Sequence, residues 1–120
     1  MTRNDIMVSI PTLSDHSRWI TFAGVDWYPT EQGCRDAGFD SKQVLRCRLE
    51  SPAHLIALIE SREHTVIVTQ EKWLKSIDRS ALDELLLQCD CELLLEREHH
   101  YIEIEPVQLE LDLTSLGLAG

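Results

Sequence analysis

His64-Thr65-Val66-Ile67-Val68-Thr69 is a histidine followed by an unbroken β-branched run. Such a run suits a strand buried on both faces, the situation of strands in a parallel sheet. Just upstream, Ser51-Pro52 reads as a helix start, because Ser caps free amides and Pro needs no donor in the first turn. Leu55, Ile56, Leu58 and Ile59 then supply one apolar face. Further upstream, Val44–Leu49 predicts a strand, with Arg46 and Arg48 flanking Cys47 so that one face meets water or acids. Pro29 opens a helix that Gly38 closes, with Gly33 inside it at a cost of about 1 kcal/mol relative to Ala. Trp19–Ala23 is rich in aromatic and β-branched residues and predicts the first strand. Downstream, Ser80 is placed to cap a helix carrying Leu82, Leu85, Leu86 and Cys89 at i, i+3, i+4 and i+7. Cys91–Leu95 predicts the fourth strand.

The order β-α-β-α-β-α-β implies an α/β domain with a mostly parallel sheet and helices on its faces. Its core is expected over residues 16–98. Residues 1–15 read as a flexible arm with a short apolar patch, Ile6, Met7, Val8 and Ile10, interrupted by Pro11. Residues 99–120 alternate Ile102 and Ile104, then Val107, Leu109, Leu111 and Leu113, with Pro106 resetting the phase. Edge strands and a C-terminal tail are expected there.

Composition bounds the function. The chain has 120 residues, 43% hydrophobic and 27% charged, with a net charge of −10. This is the balance of one globular domain. The acidic balance argues against direct binding to nucleic acid or to an anionic membrane surface. No apolar run approaches the roughly 20 residues of a membrane span, and no secretory leader is visible, so a cytoplasmic location is expected. Residues 1–82 hold 11 acids and 10 Lys or Arg, whereas residues 83–120 hold 10 acids and one Arg, Arg97. That acidic field is either a solvated face or a guide for a partner.

Chemistry-bearing motifs are sparse. The loop Gly24-Val25-Asp26-Trp27-Tyr28-Pro29 has one Gly and no Lys, so it lacks the amides and ammonium of a Walker A loop. No G-x-G-x-x-G or G-x-S-x-G occurs. Cys34, Cys47, Cys89 and Cys91 are expected to be reduced thiols, since Cys89 and Cys91 are spaced C-x-C and no second pair follows. His99-His100 would point to opposite faces of a strand and make a poor chelate. No metal site, cofactor or catalytic group is expected, and the chain reads as a binding protein, not an enzyme.

Arg18-Trp19 with Thr21, then Ala37-Gly38, Val44-Leu45 and His64-Thr65-Val66 carry a resemblance. The chain resembles the SulA family of cell-division inhibitors, without gaps over about 17–45 and more loosely to about 98. The resemblance implies a RecA-like core that has lost its phosphate loop, with induction by the SOS response to DNA damage. It implies binding to FtsZ and a block of FtsZ polymerisation and GTPase activity, a tendency to dimerise, degradation by Lon protease, and no cofactor. The family's functional Arg falls on Arg18. A functional Lys falls on Gln43, with Lys42 beside it. A family Trp falls on Gly33, and Trp27 and Tyr28 either replace its aromatic area or cap the sheet edge. Arg18 is otherwise a surface charge before a strand.

Gln108-Leu109-Glu110-Leu111-Asp112-Leu113 suggests a second reading. It is similar to the peptide by which DNA-repair proteins hold the bacterial sliding clamp, with Gln108, Leu109, Leu111 and Leu113 as contacts. That likeness implies an ImuA-type accessory protein binding the clamp or a translesion polymerase. The other reading of the segment is an alternating edge strand. A half-domain of a ligand-sensing regulator would fit the α/β pattern too, but no DNA-binding helix pair is present.

Overall fold

A computed structural model describes residues 1–97. Four strands, β1 Trp19–Ala23, β2 Val44–Cys47, β3 His64–Gln70 and β4 Glu92–Glu96, form one all-parallel sheet in the order β2-β1-β3-β4. Four helices accompany them: α1 Arg3–Leu13, α2 Glu31–Ala37, α3 Pro52–Glu60 and α4 Arg79–Gln88. Short 3-10 turns occupy Ser41–Gln43 and Glu71–Leu74. The expected α/β architecture with helices on both faces is present. The β-branched run holds a central position in β3, and His64–Thr69 is buried throughout.

The period-2 alternation of the strands divides the core in two. Ile20, Phe22, Val66, Val68 and Leu94 meet Ile6 and Ile10 of α1 and Cys34 of α2 on one face. Ala23 and Ile67 meet Leu55 and Ile59 of α3 and Leu82 of α4 on the other. The register slips between Trp19 and Ile20, which face His64 and Val66 in turn. The extra residue in β3 lets His64 reach Thr21 on the α3/α4 face.

The amino-terminal segment differs from expectation. It is a helix, not a flexible arm, and the folded core begins with it. Thr2 and Asp5 close a reciprocal cap: the Thr2 hydroxyl accepts from Asp5 N at 3.1 Å, and the Asp5 carboxylate accepts from Thr2 N at 3.0 Å. The Thr2 amide first, and then its hydroxyl, hold the Asp5 carboxyl below its ordinary value. Ile6 and Ile10, one turn apart, are fully buried. Each contributes about 1.5–3 kcal/mol of burial. Pro11 lies in the last turn, where its missing N–H costs the helix the bond to the Met7 carbonyl, and the helix ends two residues later.

Element ends follow local chemistry. Thr30 caps α2, and Gly38 ends it in the left-handed region at φ 101°. Ser51 caps α3 with Pro52 in its first turn. Asp78, not Ser80, caps α4, its carboxylate accepting from Ser80 N at 3.3 Å. β2 ends at Cys47 rather than Leu49, because Leu49 turns into the α3/α4 core. The tail read over 99–120, His99 and His100 included, lies outside the described residues. No described helix is long and apolar enough to cross a membrane.

Candidate functional site

β1 and β2 are parallel neighbours, with Ile20 opposite Val44. The residues that precede the two strands therefore meet at the same end of the sheet. His16, Ser17, Arg18, Trp19, Asp40, Lys42 and Gln43 surround an open groove of about 390 Å³ there. Arg18, Lys42 and Gln43, picked out separately in the sequence, are thus brought together. The Gln43 side-chain amide donates to the carbonyls of Asp15 and Arg18, the latter at 2.7 Å. It ties the segment before β1 to the turn before β2. Asp40 caps that turn by accepting from Lys42 N at 2.9 Å.

Arg18 is a staple within the fold. Its side chain is only 17% exposed. Nη2 donates to Asp15 Oδ2 at 3.0 Å and to the Asp90 carbonyl at 2.8 Å, and Nη1 donates to the Cys89 carbonyl at 3.2 Å. The guanidinium thereby joins the start of β1 to the α4–β4 turn. Asp15 is held at a pKa of about 2, by the Ser17 hydroxyl and amide first and then by Arg18. Most of Arg18's donors are satisfied internally. Trp19 (40% exposed) and the exposed Lys42 are the groups this groove turns to solvent. The sequence marks Trp19 as a strand residue and as part of the Arg18-Trp19 pair, not as a contact residue. Its exposure at the amino end of β1 is not legible there.

Trp27 and Tyr28 lie outside this groove. They follow β1 and pack on Phe22 edge to face, with centroids 5.1 Å and 5.9 Å away. Trp27 is half-buried beneath Arg3, whose guanidinium stands 5.2 Å from the ring centroid. Tyr28 is 40% exposed, and its hydroxyl donates to the Val44 carbonyl at 3.3 Å. Tyr28 therefore covers part of the outer edge of β2.

At the opposite end of the sheet, the strand order reverses between β1 and β3. Open α/β sheets take ligands in the crevice at that place. Here Trp73 fills it. Its indole N–H donates to the Gly24 carbonyl at 3.1 Å. Gly24 has φ +68°, and a Cβ there would stand 2.6 Å from Trp73 Nε1. The turn after β1 is thus covered by an indole, where a phosphate loop would present open amides.

All four cysteines are free thiols; Cys34, Cys89 and Cys91 are buried and Cys47 is half-buried. Burial pushes the Cys91 thiol up to about 12. Among the described residues no cluster of His, Cys, Asp or Glu is placed to hold a metal ion. Gln108, Leu109, Leu111 and Leu113 lie outside the described residues.

No family model matches the chain, and no curated protein matches it. Among solved structures, the chain is similar to SulA from Pseudomonas aeruginosa. The two share 18% sequence identity with a TM-score of 0.49, over 79% of this chain and 87% of that one.

Proposed function

We propose that this chain is a non-catalytic inhibitor of cell division that binds FtsZ through the groove at the amino ends of β1 and β2, and so blocks its polymerisation and GTPase activity. The observation that supports this reading is the convergence of Arg18, Lys42 and Gln43 on one groove. These are the positions onto which the SulA resemblance carries the family's functional Arg and Lys. In this reading Arg18 and Gln43 hold the groove's shape, and Trp19 and Lys42 make the contact. An exposed indole beside a cation is a common interface anchor, giving apolar area and a charge to pair with an acidic partner group. Trp27 and Tyr28 play at most a peripheral part. Dimerisation and turnover by Lon belong to the same proposal, as does action in the SOS response.

The test is FtsZ GTPase activity and sedimentation with rising amounts of the protein. Inhibition near one-to-one stoichiometry, weakened by Trp19→Ala and Lys42→Ala, is the expected result. Undisturbed FtsZ polymerisation at several-fold excess overturns the proposal.

A further inference from the structure

The sheet has two edges, β2 and β4. The outer edge of β4 is engaged at its carboxyl end, where Met1 N donates to Leu95 O at 3.0 Å and Arg97 N donates to Met1 O at 3.1 Å. Beyond Tyr28, the outer edge of β2 is open among the described residues. Gly24 N donates to the Cys47 carbonyl at 3.0 Å, so the backbone of Cys47, and by alternation that of Leu45, faces β1. The N–H and C=O of Arg46 therefore face outward. The Tyr28 hydroxyl on the Val44 carbonyl marks the same outer side.

The two faces of this edge carry different chemistry. Cys47 packs with the α3/α4 core, and Leu45 shares its face; both are half-buried apolar residues. Arg46 lies on the other face, its guanidinium 5.6 Å from the Tyr28 ring centroid. Arg46 and Arg48 are exposed and line an open cleft with Gly24 and Val25. Among the described residues neither has a carboxylate within ion-pair distance. A second copy's β2 laid against this edge would bring like charges together.

Residues 98–120 have the complementary pattern. They hold five acids and no Lys or Arg. Within them Leu109, Leu111 and Leu113 alternate with Glu110 and Asp112. This segment leaves the sheet at the carboxyl end of β4, the end at which Arg46 and Arg48 lie. β4 and β2 are three strand spacings apart, about 14 Å. The stretch 98–106 reaches about 30 Å when extended, enough to cross.

We propose that residues 110–113 add to the outer edge of β2, and to Arg48 just beyond it, as a short fifth strand antiparallel to β2. Entering from the carboxyl end, the segment sets Glu110 opposite Arg48 and Asp112 opposite Arg46. Leu111 then falls opposite Cys47 and Leu113 opposite Leu45. Apolar residues meet on one face and opposite charges on the other, the pairing that stabilises neighbouring strands. The same addition covers an edge that would otherwise template aggregation. It also hides Gln108–Leu113 from any clamp-like partner until the segment is released.

Hydrogen exchange at the backbone amide of residue 46 in the full chain tests this, with the Val68 amide as a control for the fold. Exchange at residue 46 slowed about tenfold or more relative to an open amide is expected. Protection should be lost in Glu110→Arg/Asp112→Arg and in Arg46→Glu/Arg48→Glu, and should return when all four changes are combined. Free exchange at residue 46 in the unaltered chain overturns the proposal. Protection that rises with protein concentration assigns the edge to a second copy and overturns it as well. Protection indifferent to the charge changes does the same, because the cover is then not this segment.

Discussion

The Trp73 indole donates to the Gly24 carbonyl at 3.1 Å and closes the crevice between β1 and β3 at the carboxyl end of the sheet. The contact depends on a glycine whose φ is +68° and whose Cα leaves no room for a methyl group. Gly24→Ala adds both backbone strain and a clash with an aromatic ring and Leu49. A loss of about 2–4 kcal/mol is expected from the two effects together. Urea unfolding measures it, and a midpoint within error of the unaltered protein would show that the loop simply moves aside.

Arg18 should act on stability before it acts on any partner. Removing its guanidinium leaves the carbonyls of Cys89 and Asp90 without their donor and frees the α4–β4 turn from β1. Arg18→Ala is expected to cost about 1–3 kcal/mol. Arg18→Lys should recover little, since one ammonium cannot span Asp15, Cys89 and Asp90 together. Denaturation of both variants, compared with their effect on FtsZ, separates folding from binding.

Trp19 and Lys42 should act on the partner directly. Lys42 is exposed, so Lys42→Ala should leave the unfolding midpoint nearly unchanged, whereas Trp19→Ala also gives up the buried part of the ring and should cost about 1–3 kcal/mol, so its effect on binding is read under conditions where the variant is folded. Each should weaken FtsZ inhibition by about tenfold if it is an interface anchor. Isothermal titration against FtsZ reads this directly.

His64 makes stability pH-dependent. Its ring is buried against the Thr21 hydroxyl. Burial lowers its pKa below the ordinary 6.5; the neighbouring Glu63 opposes that shift and Arg18 adds to it. Below about pH 6.5 the unfolded chain takes up a proton that the folded chain refuses, so stability falls as pH drops through that region. It levels off only below the folded pKa. His64→Gln should remove this slope. Asp15 acts lower on the scale: its carboxyl, held at about 2, gives stability that is complete above 3.8 and lost as pH falls towards 2. Unfolding midpoints between pH 2 and 8 distinguish the two groups.

The thiols should differ in reactivity. Cys47 is half-buried at the edge strand, whereas Cys91 is buried with its pKa pushed up to about 12. Iodoacetamide at neutral pH should label Cys47 in the native state and reach Cys91 only on unfolding. Mass spectrometry of the labelled peptides checks this.

The strands, three of the helices and their order were legible along the chain. Each rests on periodicity and punctuation within a dozen residues: the β-branched run at Thr65–Thr69, Ser51-Pro52, and Gly38 after its helix. The first helix was missed because Pro11 and a short apolar patch outweighed Thr2 and Asp5, whose reciprocal cap is a signal the chain does carry. What surrounds Arg18 was not legible at all. Its partners Cys89 and Asp90 are 71 and 72 residues away and are reached through the backbone carbonyls of a turn, which no side-chain pattern announces. The same holds for Trp73 over Gly24, 49 residues apart. Local propensity depends on near neighbours, so it can be read in one dimension. Which charge is buried as a staple and which indole faces solvent depends on the strand order β2-β1-β3-β4, and that is settled only when the sheet assembles.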